Sequence, residues 1–103
     1  MRYTRGVKGG WVYIMTNKPN GTLYVGVTAD LPRRICQHRE GKRSEFCRRY
    51  GLTRLVYAER HEEIEFAIRR EKQIKEWQRA WKIRLINSFN AGWEDLFDRM
   101  VYV

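Results

Sequence analysis

Two short runs rich in β-branched and aromatic residues lie near the start of the chain. Residues 11–15 and 23–27 each predict a strand. The turn-forming residues 17–21 lie between them and end in Asn20-Gly21, a dipeptide typical of tight hairpin turns. The pattern therefore predicts a β-hairpin.

A helix is predicted to follow the hairpin. Its apolar face consists of Leu31, Ile35 and His38, which are spaced by four and three residues. Thr28 or Asp30 can serve as its N-cap, and Gly41 ends it.

The second half of the chain predicts one more strand and two more helices. Residues 54–60 alternate enough to form a third strand, and a long helical pattern starts at Glu62. The apolar stripe of this helix is formed by Ile64, Ala67 and Ile68 and resumes at Ile74, Trp77 and Trp81. Residues 81–87 predict a separate short helix, after which Trp93, Leu96 and Phe97 are expected to pack back on the core. The order β-β-α-β-α-α predicts an α+β fold with a small three-stranded antiparallel sheet flanked by helices.

The composition is that of one globular domain. The chain has 103 residues, of which 43% are hydrophobic. We expect a basic N-terminal arm at 1–9, a single domain at 10–97 and a C-terminal tail at 98–103. No apolar run approaches the roughly 20 residues that a membrane span needs, and we expect neither a signal peptide nor a membrane partner. Cys36 and Cys47 form no CxxC pair and are expected to be reduced, which favours a cytoplasmic location.

The charge is strongly positive and unevenly distributed. Lys and Arg number 21 against 12 acids, which gives a net charge of +9 and favours a polyanionic partner. Residues 31–54 hold eight Lys or Arg and two acids, with Phe46 and Tyr50 interleaved among them. A solvated surface is one interpretation, but the imbalance favours a surface that follows phosphates. The candidate nucleic-acid contacts are Arg33, Arg39, Lys42, Arg43, Arg48 and Arg49.

Several residues are hard to explain by packing alone. Glu71 lies on the helix face that should be buried, where a carboxylate is costly unless it pairs with an arginine or binds a cation. Tyr13 and Tyr24 lie at similar distances from the predicted turn, so their phenols could meet on one face of the hairpin, although tyrosines often only pack there. Gly26 lies within a strand, where glycine often marks close approach of a ligand or of another backbone. Arg34 and His38 are four residues apart and share one side of a helix.

Taken in order, these residues resemble a known family. Val12-Tyr13-Ile14, Tyr24-Val25-Gly26, Arg34, His38 and Glu71 resemble the GIY-YIG nuclease superfamily, and especially its short bacterial stand-alone members, which are similar to the excinuclease C N-terminal domain. The segment 71–75 with Trp77 and Lys82, and Asn90 followed by Trp93, Asp95 and Leu96, are typical of that branch. The resemblance covers residues 10–97. It departs at Trp11, where the family has glycine, and at Ala91, where proline is expected; the family's asparagine is Asn90 or Asn87.

The resemblance implies an endonuclease acting on nucleic acid, with DNA favoured over RNA and the choice between them left open by the sequence, and it suggests DNA repair or recombination as the setting. Glu71 would hold one Mg²⁺ or Mn²⁺, Arg34 would bind the scissile phosphate, and Tyr13 would orient or deprotonate the attacking water, with His38 as its relay partner. Tyr24 would position the phosphate or share the role of Tyr13. The asparagine would brace the active-site end of the fold, and Gly26 would let backbone approach the substrate. A partner protein could supply specificity. The alternatives are a non-catalytic nucleic-acid-binding module on the same fold and, with less support, a basic protein-interaction adaptor.

Overall fold

A computed structural model describes residues 9–101 of the chain, with side chains described up to residue 99. The predicted basic arm, apart from Gly9, lies outside the described residues, as do residues 102–103 of the predicted tail. The elements are β1 (Gly10–Thr16), β2 (Leu23–Thr28), α1 (Leu31–Arg39), α2 (Glu45–Tyr50), β3 (Arg54–His61), α3 (Ile64–Glu76), α4 (Arg79–Phe89) and α5 (Phe97–Val101).

The three strands form one antiparallel sheet with the order β2-β1-β3. This confirms the predicted fold class. Two short helices, α2 and α5, add to the predicted order. The α2 helix has six residues, too few to show a helical period, but its caps are readable in the sequence. Ser44 accepts a hydrogen bond from the Cys47 amide, and Gly51 ends the helix with φ +66°.

Helices cover both faces of the sheet, and β1 is buried between them. One face packs against α3 and α4 through a core that includes Val12, Ile14, Val25, Val56, Ile74 and Ile86. The other face packs against the layer of α1 and α2 through Tyr13, Met15, Leu31, Ile35, Cys47 and Leu52. Successive residues of a strand point to opposite faces, so the continuous apolar run of β1 contributes to both cores.

The buried stripe of α3 is centred on a charged residue. Ala67, Glu71 and Ile74 are buried, whereas Ile68 is 38% exposed, so its assignment to the buried stripe was wrong. Ile68 lies about 60° around the helix from Glu71 and therefore falls at the margin of the buried face. The sequence pattern assigned Ile68 to the stripe because it is apolar, but the helix buries the carboxylate instead.

Residues 90–96 close the free edge of β3, and we call them the C-terminal clamp. The Asn90 side chain donates from Nδ2 to the carbonyls of Val56 (3.2 Å) and Glu94 (2.8 Å), and its Oδ1 accepts from the Glu94 amide (3.2 Å). The Leu55 amide donates to Asp95 Oδ1 (3.2 Å), and the Leu55 carbonyl accepts from the Leu96 amide (2.7 Å). Trp93 and Leu96 are buried, as predicted.

Candidate active site

Tyr13 on β1 and Tyr24 on β2 lie on the same face of the sheet, with ring centroids 6.4 Å apart. They are not direct partners. Tyr13 pairs with Gly26, and Tyr24 pairs with Met15, so the two tyrosines are offset by two residues along the ladder. A shift of two residues keeps both side chains on one face, and the two phenols therefore still meet.

The ring of Tyr13 explains why residue 26 is a glycine. A Cβ atom at Gly26 would lie 2.5 Å from both Cζ and Oη of Tyr13. The ring thus lies directly over the Gly26 backbone. This close approach comes from a side chain of the protein itself, and contact of Gly26 with nucleic acid stays a prediction.

His38 on α1 holds the Tyr13 hydroxyl. Its Nε2 lies 2.8 Å from Tyr13 Oη, and its side chain is buried. Burial, followed by the positive charges of Arg34 and Arg43, lowers the pKa of His38 to about 4. His38 is therefore neutral at pH 7. Its second ring nitrogen, Nδ1, is buried and has no hydrogen-bond partner among residues 9–101.

Arg34 borders the same hydroxyl. Its Nη1 donates to Tyr13 Oη at 3.5 Å and to the Val27 carbonyl at 3.2 Å, while its Nη2 makes no hydrogen bond to the described residues. Burial raises the pKa of Tyr13, and the hydrogen bond from Arg34 partly opposes this, so the phenol is protonated at neutral pH. Both potential proton carriers, Tyr13 and His38, are neutral in the free protein.

A cavity of about 260 Å³ opens beside Arg34. Three arginines, Arg33, Arg34 and Arg43, line it together with Thr28, Ala29, Asp30 and Gln37. Asp30 also serves as the N-cap of α1, because its carboxylate accepts from the Arg33 amide. Three guanidinium groups around one cavity favour an anion such as phosphate.

Glu71 lies on α3, which packs against the other face of the sheet and contacts both β1 and β2. It is buried and pairs with Lys75 Nζ at 2.7 Å, rather than with an arginine. The hydrogen bond that Lys75 donates to Glu71 raises the pKa of Lys75, and the electrostatic interaction with Tyr24 raises it further. The Glu71–Lys75 pair is therefore within electrostatic reach of the tyrosine cluster.

The residues around Glu71 are compatible with a hydrated Mg²⁺ ion. No cluster of three or more His, Cys, Asp or Glu that could hold a metal occurs among the described residues. Mg²⁺ commonly keeps several waters and binds through one or two carboxylates plus substrate phosphates. Glu71 fits that pattern, because Lys75 occupies Oε2 and no described side chain hydrogen-bonds to Oε1.

An aromatic ladder extends from Tyr24 to the surface, through residues that the sequence assigned only to a general phosphate-following surface. The Tyr24 ring stacks on Phe46 of α2 (6.3 Å, 30°), and Phe46 contacts Tyr50 (4.9 Å). Phe46 and Tyr50 are 44% and 46% exposed. The caps of α2 could have signalled that these two residues share one face of a helix next to the site.

The candidate basic contacts divide into two groups. Arg39 contacts the protein itself, through an ion pair with Asp95 and a position 4.2 Å above the Phe97 ring. Lys42 pairs with Glu40, and Arg48 pairs with Glu45, both at the surface. In contrast, Arg33, Arg43 and Arg49 form no ion pair within residues 9–101. These three remain the strongest candidates for phosphate contacts.

The structure does not bring Asn90 into the tyrosine cluster. All of its side-chain hydrogen bonds go to backbone groups in the C-terminal clamp and β3. These bonds tie the C-terminal clamp to β3, and the assignment of Asn90 as the family's asparagine stays a prediction. Asn87, the other candidate, is exposed and accepts a hydrogen bond from Trp93 Nε1 at 2.6 Å.

The fold and the tyrosine cluster together define a nuclease-type domain. Residues 9–84 match the model of the GIY-YIG catalytic domain, and the chain belongs to this family. It is similar to short UPF0213 proteins: 35% identical over 77 residues to one from Serratia liquefaciens, covering 75% of this chain and 76% of the relative. A relative from Staphylococcus haemolyticus is 36% identical over 76 residues, with 74% and 92% covered.

A solved structure supports the same assignment. The solution NMR structure of a UPF0213 protein from Bacillus halodurans superposes with a TM-score of 0.54 at 32% identity, covering 84% of this chain and 92% of that one. The names of these relatives state no activity, metal or substrate. Within the described part of the chain, no helix is both long and apolar enough to span a membrane.

Proposed function

We propose that the protein is an endonuclease that hydrolyses phosphodiester bonds in nucleic acid, DNA before RNA, using one Mg²⁺ or Mn²⁺ ion. The observation that carries this proposal is the contact between Tyr13, His38 and Arg34 beside a cavity lined by three arginines. Two free cysteines are compatible with a reducing cytoplasm, where DNA repair or recombination would be its setting. A partner protein would supply specificity.

Arg34 binds the scissile phosphate in this proposal. Its present hydrogen bonds, at 3.5 and 3.2 Å, go to neutral acceptors. A phosphate offers shorter, charge-assisted and bidentate bonds, so it competes effectively for the guanidinium. Tyr13 is fully buried, so a ligand reaches its hydroxyl only when a neighbouring side chain moves. Arg34 is a hydrogen-bonded neighbour with exposed surface, and its turn towards the phosphate would uncover the phenol.

Tyr13 and His38 handle the proton of the attacking water. Tyr13 accepts that proton as it passes its own to His38 Nε2, 2.8 Å away. A resting His38 is a weak base because its pKa is about 4. A bound phosphate offsets the charges of Arg34 and Arg43, which are two of the causes of that low pKa. Substrate binding thus raises the pKa of His38 and improves it as the proton acceptor. Tyr24, which is partly exposed, positions the phosphate.

Glu71 would hold the metal ion. The ion would supply charge neutralisation at the phosphate and at the leaving oxygen. Lys75 would have to release Oε2, and because Lys75 is half exposed, this release is inexpensive.

The aromatic ladder supports nucleic acid as the substrate, and so do the arginines that form no ion pair within residues 9–101, namely Arg33, Arg43 and Arg49. Base stacking on aromatic rings beside cationic groups is the common way to hold a nucleic acid without reading its sequence. Phe46 and Tyr50 provide such rings directly next to Tyr24. Arg49 lies on the same helix and makes no ion pair within the described part of the chain.

The test is a cleavage assay on branched, nicked and single-stranded substrates with and without Mg²⁺. Glu71→Gln should fold and bind nucleic acid at least as tightly as the wild type but lose metal-dependent cleavage. Glu65→Gln, an exposed acid on the same helix, is the matched control and should cleave normally. Because Lys75 is half exposed, the loss of a purely structural pair would lower stability by only about 0–1 kcal/mol, so cleavage decides better than melting.

The Glu71–Lys75 pair is also what a non-catalytic nucleic-acid-binding module on this fold would keep. Wild-type protein that binds these substrates but cleaves none of them with Mg²⁺ or Mn²⁺ would establish that alternative. Cleavage that survives in Glu71→Gln would remove Glu71 as the metal ligand.

A further inference from the structure

A groove at the junction of α3 and α4 is unexplained by the proposed active site. It encloses about 370 Å³ and is lined by Trp77, Trp81, Arg84, Leu85 and Ser88. A second depression shares Trp77 with it and is lined by Arg69, Lys72, Gln73 and Glu76. Both lie on the α3–α4 side of the sheet, whereas Tyr13 and His38 lie on the other side.

The two tryptophans form a supported aromatic surface. Their ring centroids are 6.1 Å apart with an edge-to-face tilt, and Trp81 is 47% exposed. The Arg70 guanidinium lies 5.3 Å from the centroid of the Trp77 ring. Arg70 is itself fixed by two hydrogen bonds to Glu59, at 2.9 and 3.4 Å. The groove is thus preorganised, with a large apolar ring left in water.

Glu59 adds rigidity to this support. It also accepts hydrogen bonds from the Tyr57 hydroxyl and bonds His61 Nε2 at 2.6 Å. Hydrogen bonds from these groups lower the pKa of Glu59, against the effect of its burial, so it remains a carboxylate. The hydrogen bonds around Glu59 therefore hold Arg70 in place, and Arg70 in turn supports the Trp77 ring.

The chemistry of the groove selects an anionic ligand with a planar ring. Arg69, Lys72 and Arg84 line the two depressions against one acid, Glu76. The chain as a whole has a net charge of +9, which repels cationic partners. A cavity of about 370 Å³ is near the lower end of small-ligand pockets, which suits one ring system better than the helix of a partner protein.

We propose that this groove is a second nucleic-acid subsite, which stacks an unpaired base on Trp81 and directs its phosphates to Arg84 and Lys72. It holds the strand at a distance from the scissile phosphate. The inference rests on the proposed function in one respect, that the ligand is a nucleic acid. It does not depend on cleavage.

The test measures binding of fluorescent oligothymidylates in EDTA, where metal-dependent cleavage does not occur. Trp81→Ala should weaken binding of a 20-mer by about tenfold, the effect of removing one stacked base. It should leave a blunt duplex, whose bases have no free faces, within about twofold. Trp81→Phe should retain most of the affinity. Phe89→Ala removes an exposed aromatic residue of α4 that does not line the groove and should bind like the wild type.

Two further measurements distinguish a loss of binding in the groove from misfolding of the variant. Arg84→Gln leaves the aromatic surface intact and should reduce the slope of log affinity against log salt by about one. Wild-type tryptophan emission should be quenched by the 20-mer, and Trp81→Phe should lose most of that quenching.

The proposal is overturned if Trp81→Ala and Phe89→Ala bind the 20-mer equally well. It is also overturned if Trp81→Ala changes the sedimentation coefficient but not the affinity, because the groove then joins two copies of the chain. A protein that binds as expected but never cleaves would refute the proposed activity and leave this subsite standing.

Discussion

Replacing Gly26 with alanine tests whether the site is built from the packing of one tyrosine over one glycine. The added Cβ would lie 2.5 Å from Cζ and Oη of Tyr13, closer than non-bonded heavy atoms approach. Gly26 on β2 is the cross-strand partner of Tyr13 on the central strand β1, which is buried between the helices, so Tyr13 has little room to move. Overpacking of this kind costs about 1–3 kcal/mol. The ring must tilt, which separates Tyr13 Oη from His38 Nε2, and cleavage should fall together with stability.

A double-mutant cycle measured by urea unfolding isolates this clash. Tyr13→Ala alone should cost about 3–5 kcal/mol because it leaves a cavity. In the Gly26→Ala/Tyr13→Ala variant the clash is gone, so the double variant should be more stable than the sum of the single effects predicts, by about 1–3 kcal/mol. Gly92→Ala, whose Cβ would meet no atom closer than 3.5 Å, is the matched control and should be nearly neutral. Additivity within about 0.5 kcal/mol would refute the packing argument.

Four other measurements follow from the site. The pKa of His38 is about 4 in the folded protein and about 6.5 in the unfolded chain, so the unfolded chain binds more protons between these pH values. The contribution of His38 to the free energy of unfolding, about 3 kcal/mol, should therefore be present above pH 6.5 and be lost as the pH falls to 4. A His38→Gln variant with the same pH dependence of unfolding as the wild type would contradict this. Adding inorganic phosphate should raise the pKa of His38 measured by NMR, because it offsets the charges of Arg34 and Arg43; an unchanged value would exclude phosphate from that cavity. Tyr13→Phe should retain the fold within about 1.5 kcal/mol and lose most of its cleavage, so unchanged turnover would remove the phenol from the reaction. Asn90→Ala should cost about 2–4 kcal/mol in urea unfolding, since it leaves buried backbone groups unpaired, whereas Asn87→Ala should cost less than about 1; equal losses would contradict the bracing role.

Local patterns in the sequence predicted most of the fold. The strands β1 and β2 follow from their β-branched and aromatic residues, and the burial of Glu71 follows from the helix period, so both could be predicted without knowing the tertiary contacts. The register of the hairpin could not be predicted in this way. The turn runs through Gly21, whose amide bonds the Lys18 carbonyl, and Arg79 of α4 binds the carbonyls of Asn20 and Gly21 at 2.7 Å. A contact from 58 residues away thus supports the turn that sets the register.

The same distinction applies to the site. Tyr13, Tyr24, Arg34 and His38 come together as the motif spacing implied. Arg39, by contrast, was grouped with the phosphate contacts because it is basic and lies in a basic stretch. Its partner Asp95 is 56 residues away, and no local pattern indicates that pairing.

The C-terminal clamp has a consequence for where the chain can be cut. The match to the family model ends at residue 84, within α4, but the free edge of β3 is closed by residues 90–96. A fragment trimmed to the family match would expose the amide and carbonyl of Leu55 together with the apolar surface now covered by Trp93 and Leu96. Exposed strand edges pair with other chains. We therefore expect such a fragment to aggregate when expressed, and fusion partners or tags should be attached beyond the clamp.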